Sequence, residues 1–203
     1  MKIICIGQNY PKHNAEMKSE TPPEPVFFMK PDTACILNGK PFFYPDFSRD
    51  IQHEVEIVLK ISKNGKHIDP DFADSYYDEI GIGIDFTARD LQSECKKKGL
   101  PWEKAKAFDG SAPLGTFLSK TRFSDIQNIN FHLEINGQTV QKGNTKDMLF
   151  SFNRIIAHVS QFVTLRKGDL IFTGTPEGVG PVKTSDHLQA FIENQALLRF
   201  NVK

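Results

Sequence analysis

Hydrophobic and polar positions alternate in several short runs along the chain, which is the pattern of half-buried β-strands. In the run 54–61, the apolar residues at positions 55, 57, 59 and 61 share one face of a strand. Glu54 and Glu56 fall on the opposite face. Similar patterns predict further strands at 26–29, 34–37, 42–44, 80–85, 130–135 and 170–173.

Helical spacing is found in fewer places. Apolar residues recurring every three to four positions predict helices over 87–98 and 146–163. A short, exposed helix is expected over 9–17, because Pro11 suits a first helical turn. The turn sequence Asn38-Gly39-Lys40 predicts a hairpin, so its flanking strands are expected to pair antiparallel. Strands outnumber helices without alternating regularly with them, which predicts a mixed or largely antiparallel α+β fold.

Length and composition favour one large-cored unit. The chain has 203 residues, no internal repeat and no Pro/Gly-rich linker, so a single domain over 1–203 is expected. Its 17 Phe residues indicate a β-rich core filled by aromatic rings.

The charge balance argues against polyanionic partners. Lys plus Arg and Asp plus Glu number 25 each, so no net charge favours nucleic acid or an anionic membrane. The basic run Lys96-Lys97-Lys98 precedes Gly99 and is typical of a solvated helix end. No apolar stretch has the length of a signal segment or a membrane span, and three scattered cysteines indicate no disulfide framework. We therefore expect a cytoplasmic protein without nucleic-acid or membrane partners.

Two acidic segments carry the candidate chemistry. Glu54 and Glu56 on one strand face would repel each other, and this segment alone leaves open whether they lie on a solvated surface. Asp85 ends a second strand whose glycines are expected to leave its face bare, next to a Thr87-to-Asp90 spacing that resembles a helix capping box. Three carboxylates suit a hard cation such as Mg²⁺ or Mn²⁺, whereas no matched Cys/His set points to zinc.

Several short motifs are distributed over nearly the whole chain. They are Gly7-Gln8-Asn9-Tyr10, Phe28-Met29-Lys30-Pro31, His53-Glu54-Val55-Glu56, Asp85-Phe86-Thr87-Ala88-Arg89-Asp90-Leu91-Gln92, Lys104-Ala105-Lys106, Pro113-Leu114-Gly115 and Thr173-Gly174-Thr175-Pro176. With these motifs together, the chain resembles the fumarylacetoacetate hydrolase family. The resemblance is greatest to its short single-domain branch of acylpyruvate hydrolases and oxaloacetate decarboxylases.

The resemblance implies roles for individual residues. The family's acidic metal-binding triad falls on Glu54, Glu56 and Asp85, the carboxylates that the strand pattern also selects. Its active-site lysine falls on Lys106, and Lys104 is expected to be solvated. Spacing alone cannot choose between them, because alternation along a strand would put both lysines on one side. Weaker candidates for substrate contact are Lys30, Arg89, Gln92 and Thr175.

The resemblance also places a catalytic pair in the N-terminal helix. His13 and Glu16 match the family's His-x-x-Glu pair, and helical spacing puts them on one face. Without the resemblance, a solvated surface pair would be the ordinary interpretation of this spacing. With it, we expect Glu16 to orient His13 as a general base that activates water.

The fold implied by the resemblance is a mixed β-sandwich roll with short peripheral helices and an N-terminal lid helix, usually as a homodimer. The implied activity is Mg²⁺- or Mn²⁺-dependent hydrolysis of a C–C bond in acylpyruvate-type 2,4-dioxo acids through a metal-stabilised enolate. Alternatives on the same site are an oxaloacetate decarboxylase and a 2-hydroxyhepta-2,4-diene-1,7-dioate isomerase-like enzyme. A catalytically silent protein that binds a small 2-oxo acid is the alternative from another class.

Some positions depart from the family pattern. Gln8 stands where many members carry Arg, which removes a charged donor near the lid and leaves the substrate open. Ser185-Asp186 and Asn194-Gln195-Ala196 replace glycine-containing turns far from the expected chemistry.

Overall fold

Fifteen strands and four short α-helices make up the chain, and the computed structural model describes all of residues 1–203. The strands are β1 (Ile3–Gly7), β2 (Val26–Lys30), β3 (Cys35–Leu37), β4 (Ile51–His53), β5 (Val55–Ile61), β6 (Tyr77–Ile84), β7 (Thr87–Ala88), β8 (Ala112–Leu114), β9 (Leu118–Ser119), β10 (Asn130–Ile135), β11 (Gln138–Asn144), β12 (Leu170–Phe172), β13 (Gly180–Pro181), β14 (His187–Ile192) and β15 (Gln195–Asn201). The helices are α1 (Pro11–Glu16), α2 (Arg89–Lys98), α3 (Glu103–Lys106) and α4 (Phe152–Phe162). Short 3-10 turns are formed by Asp32–Ala34, Ala73–Tyr76, Lys120–Arg122 and Thr145–Asp147.

The strands form three sheets. The largest has eight strands in the order β2-β1-β12-β5-β6-β8-β3, with β9 paired beside β6. In it β1 pairs parallel with β12 and β3 pairs parallel with β8, while the other pairs are antiparallel. A four-stranded antiparallel sheet has the order β11-β10-β14-β15, and a small sheet has the order β13-β4-β7. Mixed sheets with a few short helices confirm the predicted α+β class.

The large sheet is buried on both faces. In β1, Ile4 and Ile6 belong to a core cluster of 35 residues, whereas Ile3 and Cys5 belong to a second cluster of eight. In β5, Val58 faces this second cluster, and strand alternation puts Glu56 on the same side. Because this side is covered by protein, the two glutamates of the predicted strand do not lie on a solvated surface.

The glycines of β6 do not leave an open face, which corrects the expectation from the sequence. A Cβ atom on Gly83 would lie 2.6 Å from the ring of Phe172, and one on Gly81 would lie 2.8 Å from the ring of Phe117. Glycine is required at these positions because the aromatic rings pack directly on the strand backbone. The space beside these glycines is therefore filled by aromatic side chains from a neighbouring strand and a loop.

Both longer helices start later than predicted. Helix α4 begins at Phe152, where the Ser151 hydroxyl accepts from the backbone N–H of Arg154 at 3.4 Å. Helix α2 begins at Arg89, because Thr87 is held in β7 by pairing with β4. The Thr87 hydroxyl donates to the carbonyl of Asp85 at 3.3 Å, so the predicted capping box is absent.

The hairpin predicted around Asn38-Gly39-Lys40 is also wrong. Strand β3 pairs parallel with β8, and Phe42 bridges to Val202 near the C-terminus instead of forming a strand with its neighbours. The backbone N–H of Phe42 donates to the carbonyl of Asn201 at 3.0 Å. Long-range pairing therefore overrides the local turn signal.

Candidate active site

Three carboxylates meet where β5 and β6 lie side by side. Glu54 lies between β4 and β5, Glu56 is the second residue of β5, and Asp85 directly follows β6. The backbone N–H of Asp85 donates to the carbonyl of Glu54 at 2.8 Å, which joins the two segments. One carboxylate oxygen from each residue lies within 4.8 Å of the others. All three residues are buried, with exposed fractions of 5%, 1% and 1%.

Two cationic side chains contact this cluster from the cleft side. The Lys106 ammonium donates to Glu54 Oε2 and to Asp85 Oδ2, both at 2.8 Å. The Arg89 guanidinium donates to Glu54 Oε1, and it also binds the side-chain oxygens of Gln52 at 2.8 Å and Gln92 at 2.6 Å. Buried carboxylates need such partners, because an unpaired buried charge is strongly unfavourable.

Lys30 contacts Asp85 without lining the cleft. Its Nζ lies 2.8 Å from Asp85 Oδ1 but directs its hydrogen bonds to the carbonyls of Ser111 at 2.9 Å and Phe86 at 3.3 Å. Asp85 Oδ1 therefore has a nearby positive charge but no hydrogen-bond donor. Lys30 is buried and does not line the cleft, so its position suits holding Asp85 in place rather than the predicted substrate contact.

The surroundings shift the pKa values of Glu54 and Glu56 in opposite directions. Burial and the charges of Asp85 and Glu54 raise the pKa of Glu56 well above its usual value. Burial also opposes ionisation of Glu54, but the positive charges of Lys106 and Arg89 outweigh it and lower the Glu54 pKa. Glu56 has no ion-pair partner of its own, so burial and the repulsion from its two acidic neighbours are least offset there.

The backbone after β12 supplies a donor to Glu56. Gly174 N–H donates to Glu56 Oε2 at 2.7 Å, from a backbone φ of +105° that favours glycine. A Cβ atom on Gly174 would also lie 2.7 Å from the Cβ of Asn9. This close approach explains the glycine in the Thr173-Gly174-Thr175-Pro176 motif.

The carboxylates form the floor of a cleft of about 420 Å³, within the usual size range for a small-molecule site. Predicted site residues that line it besides the carboxylates are His13, Arg89, Gln92, Lys106 and Thr175. Its other walls are formed by Ile6, Gly7, Gln8, Met17, Ser19, Val26, Phe28, Lys96 and Trp102. The structure thus brings together all the predicted site residues except Glu16 and Lys30, which lie next to lining residues.

Helix α1 lies against the cleft and is less exposed than expected. His13 and Asn14 are 9% and 2% exposed. His13 Nδ1 lies 3.4 Å from Glu16 Oε2, and Glu16 also accepts from the backbone N–H of Gly178 at 3.1 and 3.2 Å. Burial lowers the pKa of His13, although the charges of Glu54 and Glu16 partly oppose this shift. Glu16 thus connects the helix to the loop beyond β12 while touching the His13 ring.

The two candidate lysines lie on opposite sides of a helix. Positions 104 and 106 were expected on one side of a strand, but Glu103–Lys106 forms α3. Residues two positions apart on a helix point about 200° away from each other. Lys104 is therefore exposed, while Lys106 is buried at 3% exposure. The strand argument was therefore wrong, although Lys106 is the lysine that reaches the carboxylates.

Some residues of the site were not identified as functional from the sequence. Gln141 is 2% exposed. Its amide oxygen accepts from the backbone N–H of Val55 at the start of β5, and its amide nitrogen donates to Thr175 Oγ1 in the loop beyond β12. Lys96 belongs to the predicted solvated helix end and is exposed, but it also lines the cleft, which the sequence did not indicate. Phe28 and Trp102 form an aromatic wall with ring centroids 6.0 Å apart, and the Lys106 ammonium lies 5.2 Å from the Phe28 ring. Their roles depend on long-range packing.

A cleft floored by three buried carboxylates, on a mixed α+β fold, has the architecture of an enzyme site that can hold a divalent cation. The chain belongs to the fumarylacetoacetate (FAA) hydrolase C-terminal family, which it matches over residues 2–203. The family contains enzymes of more than one reaction type, as the following relatives illustrate.

Among proteins similar to this chain is oxaloacetate tautomerase FAHD1, mitochondrial, of Mus musculus, which is 44% identical over 201 residues. That match covers 99% of this chain and 91% of the relative. Oxaloacetate tautomerase YcgM of Escherichia coli (strain K12) is 40% identical over 197 residues, 97% of this chain and 90% of the relative. The crystal structure of fumarylpyruvate hydrolase from Pseudomonas aeruginosa in complex with Mn²⁺ and pyruvate matches with a TM-score of 0.94 and 32% identity, covering 100% of this chain and 89% of that chain.

These similarities establish an enzyme family but do not single out hydrolysis, because two of the three relatives are named as tautomerases. The murine relative is named as mitochondrial, so the similarities give no particular support to the expected cytoplasmic location. None of the helices in this structure combines the length and apolar character that a membrane crossing requires.

Proposed function

We propose that this protein interconverts the enol and keto forms of a small 2-oxo dicarboxylic acid of the oxaloacetate type. The observation that carries the proposal is the position of His13, a buried base beside the same cleft as the three carboxylates and Lys106. Keto–enol exchange requires a base to take a proton from C3 and positive charge to stabilise the resulting oxyanion. Similarity to two oxaloacetate tautomerases over at least 97% of this chain supports this substrate class.

The carboxylates fit a hard divalent cation. All their donor atoms are oxygens, Asp85 Oδ1 accepts no hydrogen bond although Lys30 Nζ lies 2.8 Å away, and burial together with like charges raises the pKa of Glu56. Glu54, Glu56 and Asp85 would therefore hold Mg²⁺ or Mn²⁺, and the similar fumarylpyruvate hydrolase structure contains Mn²⁺. When bound, the cation supplies Lewis-acid stabilisation of negative charge on the oxygens of a 2-oxo acid.

The remaining groups divide the proton transfer between them. His13 is held neutral by burial, and Glu16 contacts its Nδ1, which leaves Nε2 to take the proton from C3 of the keto form and deliver it to the C2 oxygen, giving the enol, or to carry it in the reverse direction. Burial opposes the charge of Lys106, but Asp85 and Glu54 outweigh this and raise its pKa, so it stays cationic. Lys106 stabilises the oxyanion while Arg89 fixes Glu54.

Hydrolysis of an acylpyruvate is the second candidate function, and the same His13–Glu16 pair favours it. A neutral imidazole oriented by a carboxylate can also deprotonate water for attack on a C4 carbonyl. The similar structure named as fumarylpyruvate hydrolase contains pyruvate, a 2-oxo acid. Decarboxylation of oxaloacetate requires no base, so replacing His13 is expected to affect it less than the other two reactions.

The test is to assay oxaloacetate tautomerisation, oxaloacetate decarboxylation and acylpyruvate hydrolysis in parallel, with saturating Mg²⁺. Wild-type protein is expected to accelerate tautomerisation. His13→Ala is expected to lower tautomerisation and any hydrolysis by about a hundredfold or more, the usual scale for losing a general base. Decarboxylation is expected to fall less.

His158→Ala serves as the control, since His158 lies on α4 and does not line the cleft. Unchanged tautomerisation in His13→Ala, with circular dichroism confirming the fold, would contradict the role of His13. Absence of all three activities in the wild type would favour a silent oxo-acid-binding protein.

We also propose that residues 1–203 form one catalytic domain and that the protein acts as a cytoplasmic homodimer. Size-exclusion chromatography with light scattering measures the oligomeric state directly. Exposed Leu37, Phe43 and Phe72 offer apolar surface for such contacts, at 67%, 68% and 69% exposure.

A further inference from the structure

The positive charges that line the cleft differ in whether protein carboxylates already neutralise them. Arg89 is paired with Glu54, and Lys106 is paired with both Glu54 and Asp85. Lys96 lines the same cleft, but none of the ion pairs or side-chain hydrogen bonds of the structure includes it. It is therefore the cation of this cleft that is free to pair with an anionic ligand.

Helix α2 directs Lys96 toward the site. Arg89, Gln92 and Lys96 are separated by three and four residues, so they lie along one side of the helix, and all three line the cleft. Lys97 lies about 100° around the helix and does not line the cleft. The basic run that ends α2 therefore contains one lysine that belongs to the site and two that do not.

The chain after α2 brings an aromatic ring beside the Lys96 ammonium. Gly99 ends the helix at φ +64°, in the left-handed region, and the chain turns back to Trp102. Lys96 Nζ lies 5.3 Å from the centroid of the Trp102 ring, at the range of a cation–π contact. This contact restricts the side chain without neutralising its charge.

We propose that Lys96, held over Trp102, is the subsite for the distal carboxylate of the substrate and selects dicarboxylic over monocarboxylic 2-oxo acids. This proposal rests on the proposed function, because it concerns the carboxylate of the proposed substrate that lies farthest from the metal-binding carboxylates. Gln8, another lining residue, presents a neutral amide, so Lys96 supplies the unpaired charge. A carboxylate bound there would receive a charge-assisted hydrogen bond.

Steady-state kinetics with oxaloacetate and its C4 methyl ester test this assignment, since the ester replaces the distal carboxylate with an uncharged group. Lys96→Met is expected to raise KM for oxaloacetate by about tenfold or more, the scale of losing a charge-assisted hydrogen bond, with a smaller change in kcat. The ester is expected to respond little. Lys96→Arg is expected to restore most of the loss, and Lys97→Met is expected to match the wild type.

Calorimetric binding provides a readout that does not depend on turnover. Malate and lactate are 2-hydroxy acids that differ in the distal carboxylate, and both are titrated into the Mg²⁺-loaded protein. Wild type is expected to prefer malate, and Lys96→Met is expected to lose that preference while Lys97→Met keeps it. A wild type without preference, or equal losses in both variants, overturns the subsite. Absence of oxaloacetate turnover with the malate preference intact overturns the proposed function alone.

Discussion

Lys106 connects two of the three carboxylates, and the role proposed for it depends on this position. Its ammonium contacts Glu54 and Asp85 at 2.8 Å each, while the Phe28 ring covers it from the side at 5.2 Å. A cation in this position stabilises the buried acids and faces the space where a substrate oxyanion would form. Removing its charge should therefore affect both the cluster and the reaction.

Replacing this lysine should be far more damaging than replacing its neighbour. Lys106→Met is expected to lower kcat for oxaloacetate tautomerisation by about a hundredfold or more, the usual scale for losing one electrostatic stabiliser. Lys104→Met is expected to stay close to wild type, because Lys104 is exposed. Equal effects in a steady-state assay would remove the basis for assigning the role to Lys106.

The residues of the site differ in how far the sequence could identify them. Glu54, Glu56 and Asp85 follow from strand alternation and from the family motifs, and the structure brings them together. Gln141 and Lys96 could not be recognised, because one lies in β11, a mostly polar segment over which no strand was predicted, and the other lies in a basic run. Their importance depends on which elements pack beside them, and local sequence does not encode that.

Among the structural elements, the turn before β12 holds β1 in register with the large sheet. Asp169 accepts from the backbone N–H groups of Lys2 and Arg166, both at 2.8 Å, and its carboxylate pairs with the Lys2 ammonium at 2.5 Å. Burial opposes the charge of Asp169, but these donors outweigh it and lower its pKa. Because the folded state favours the ionised form, this contact contributes stability above the pKa of the unfolded chain.

Asp169→Asn should therefore destabilise the protein in a pH-dependent way. At pH 7 the expected loss is about 1–3 kcal/mol, the usual cost of removing a hydrogen-bonded charge. The difference from wild type should shrink as pH falls through the lowered folded pKa, since the native carboxylate is then protonated as well. Urea unfolding at several pH values measures this, with Asp78→Asn as an exposed control. A loss that is constant with pH would contradict the role of the charge.

At the level of elements, the sequence predicted the buried strands better than the turns. The run 130–135 and the strand beginning at Val55 have strong period-two patterns, and both form close to the predicted bounds. The hairpin at Asn38-Gly39-Lys40 failed because Phe42 pairs with the C-terminal segment instead. Pairings between distant segments depend on the assembled sheet, so turn residues alone could not predict them.

For the molecule as a whole, a cation bound at the carboxylate cluster would link metal binding to folding stability. Its members lie at the junction of β4 with β5, within β5 and after β6, so a bound cation would join strands of two sheets. An ion that binds only the folded state stabilises it according to its concentration and affinity.

Mg²⁺ or Mn²⁺ should therefore raise the melting temperature, and a chelator should reverse the rise. At a concentration of about 100 times Kd the expected gain is about 2.7 kcal/mol. For a chain of this size, that corresponds to roughly 5–10 °C. Differential scanning calorimetry is expected to show this rise in the wild type and in Glu79→Gln, but not in Glu56→Gln. An identical rise in all three proteins would place the ion elsewhere.

The amide of Gln141 also determines which nitrogen of His53 carries a proton. Its nitrogen donates to Thr175 Oγ1 and to the carbonyl of Pro176, so its oxygen must face the other way. That oxygen accepts from the backbone N–H of Val55 and lies 2.8 Å from His53 Nδ1. Because an amide oxygen only accepts, His53 must hold its proton on Nδ1, and burial keeps the ring neutral by lowering its pKa. One side chain from the four-stranded sheet thus fixes the tautomer of a histidine directly before Glu54.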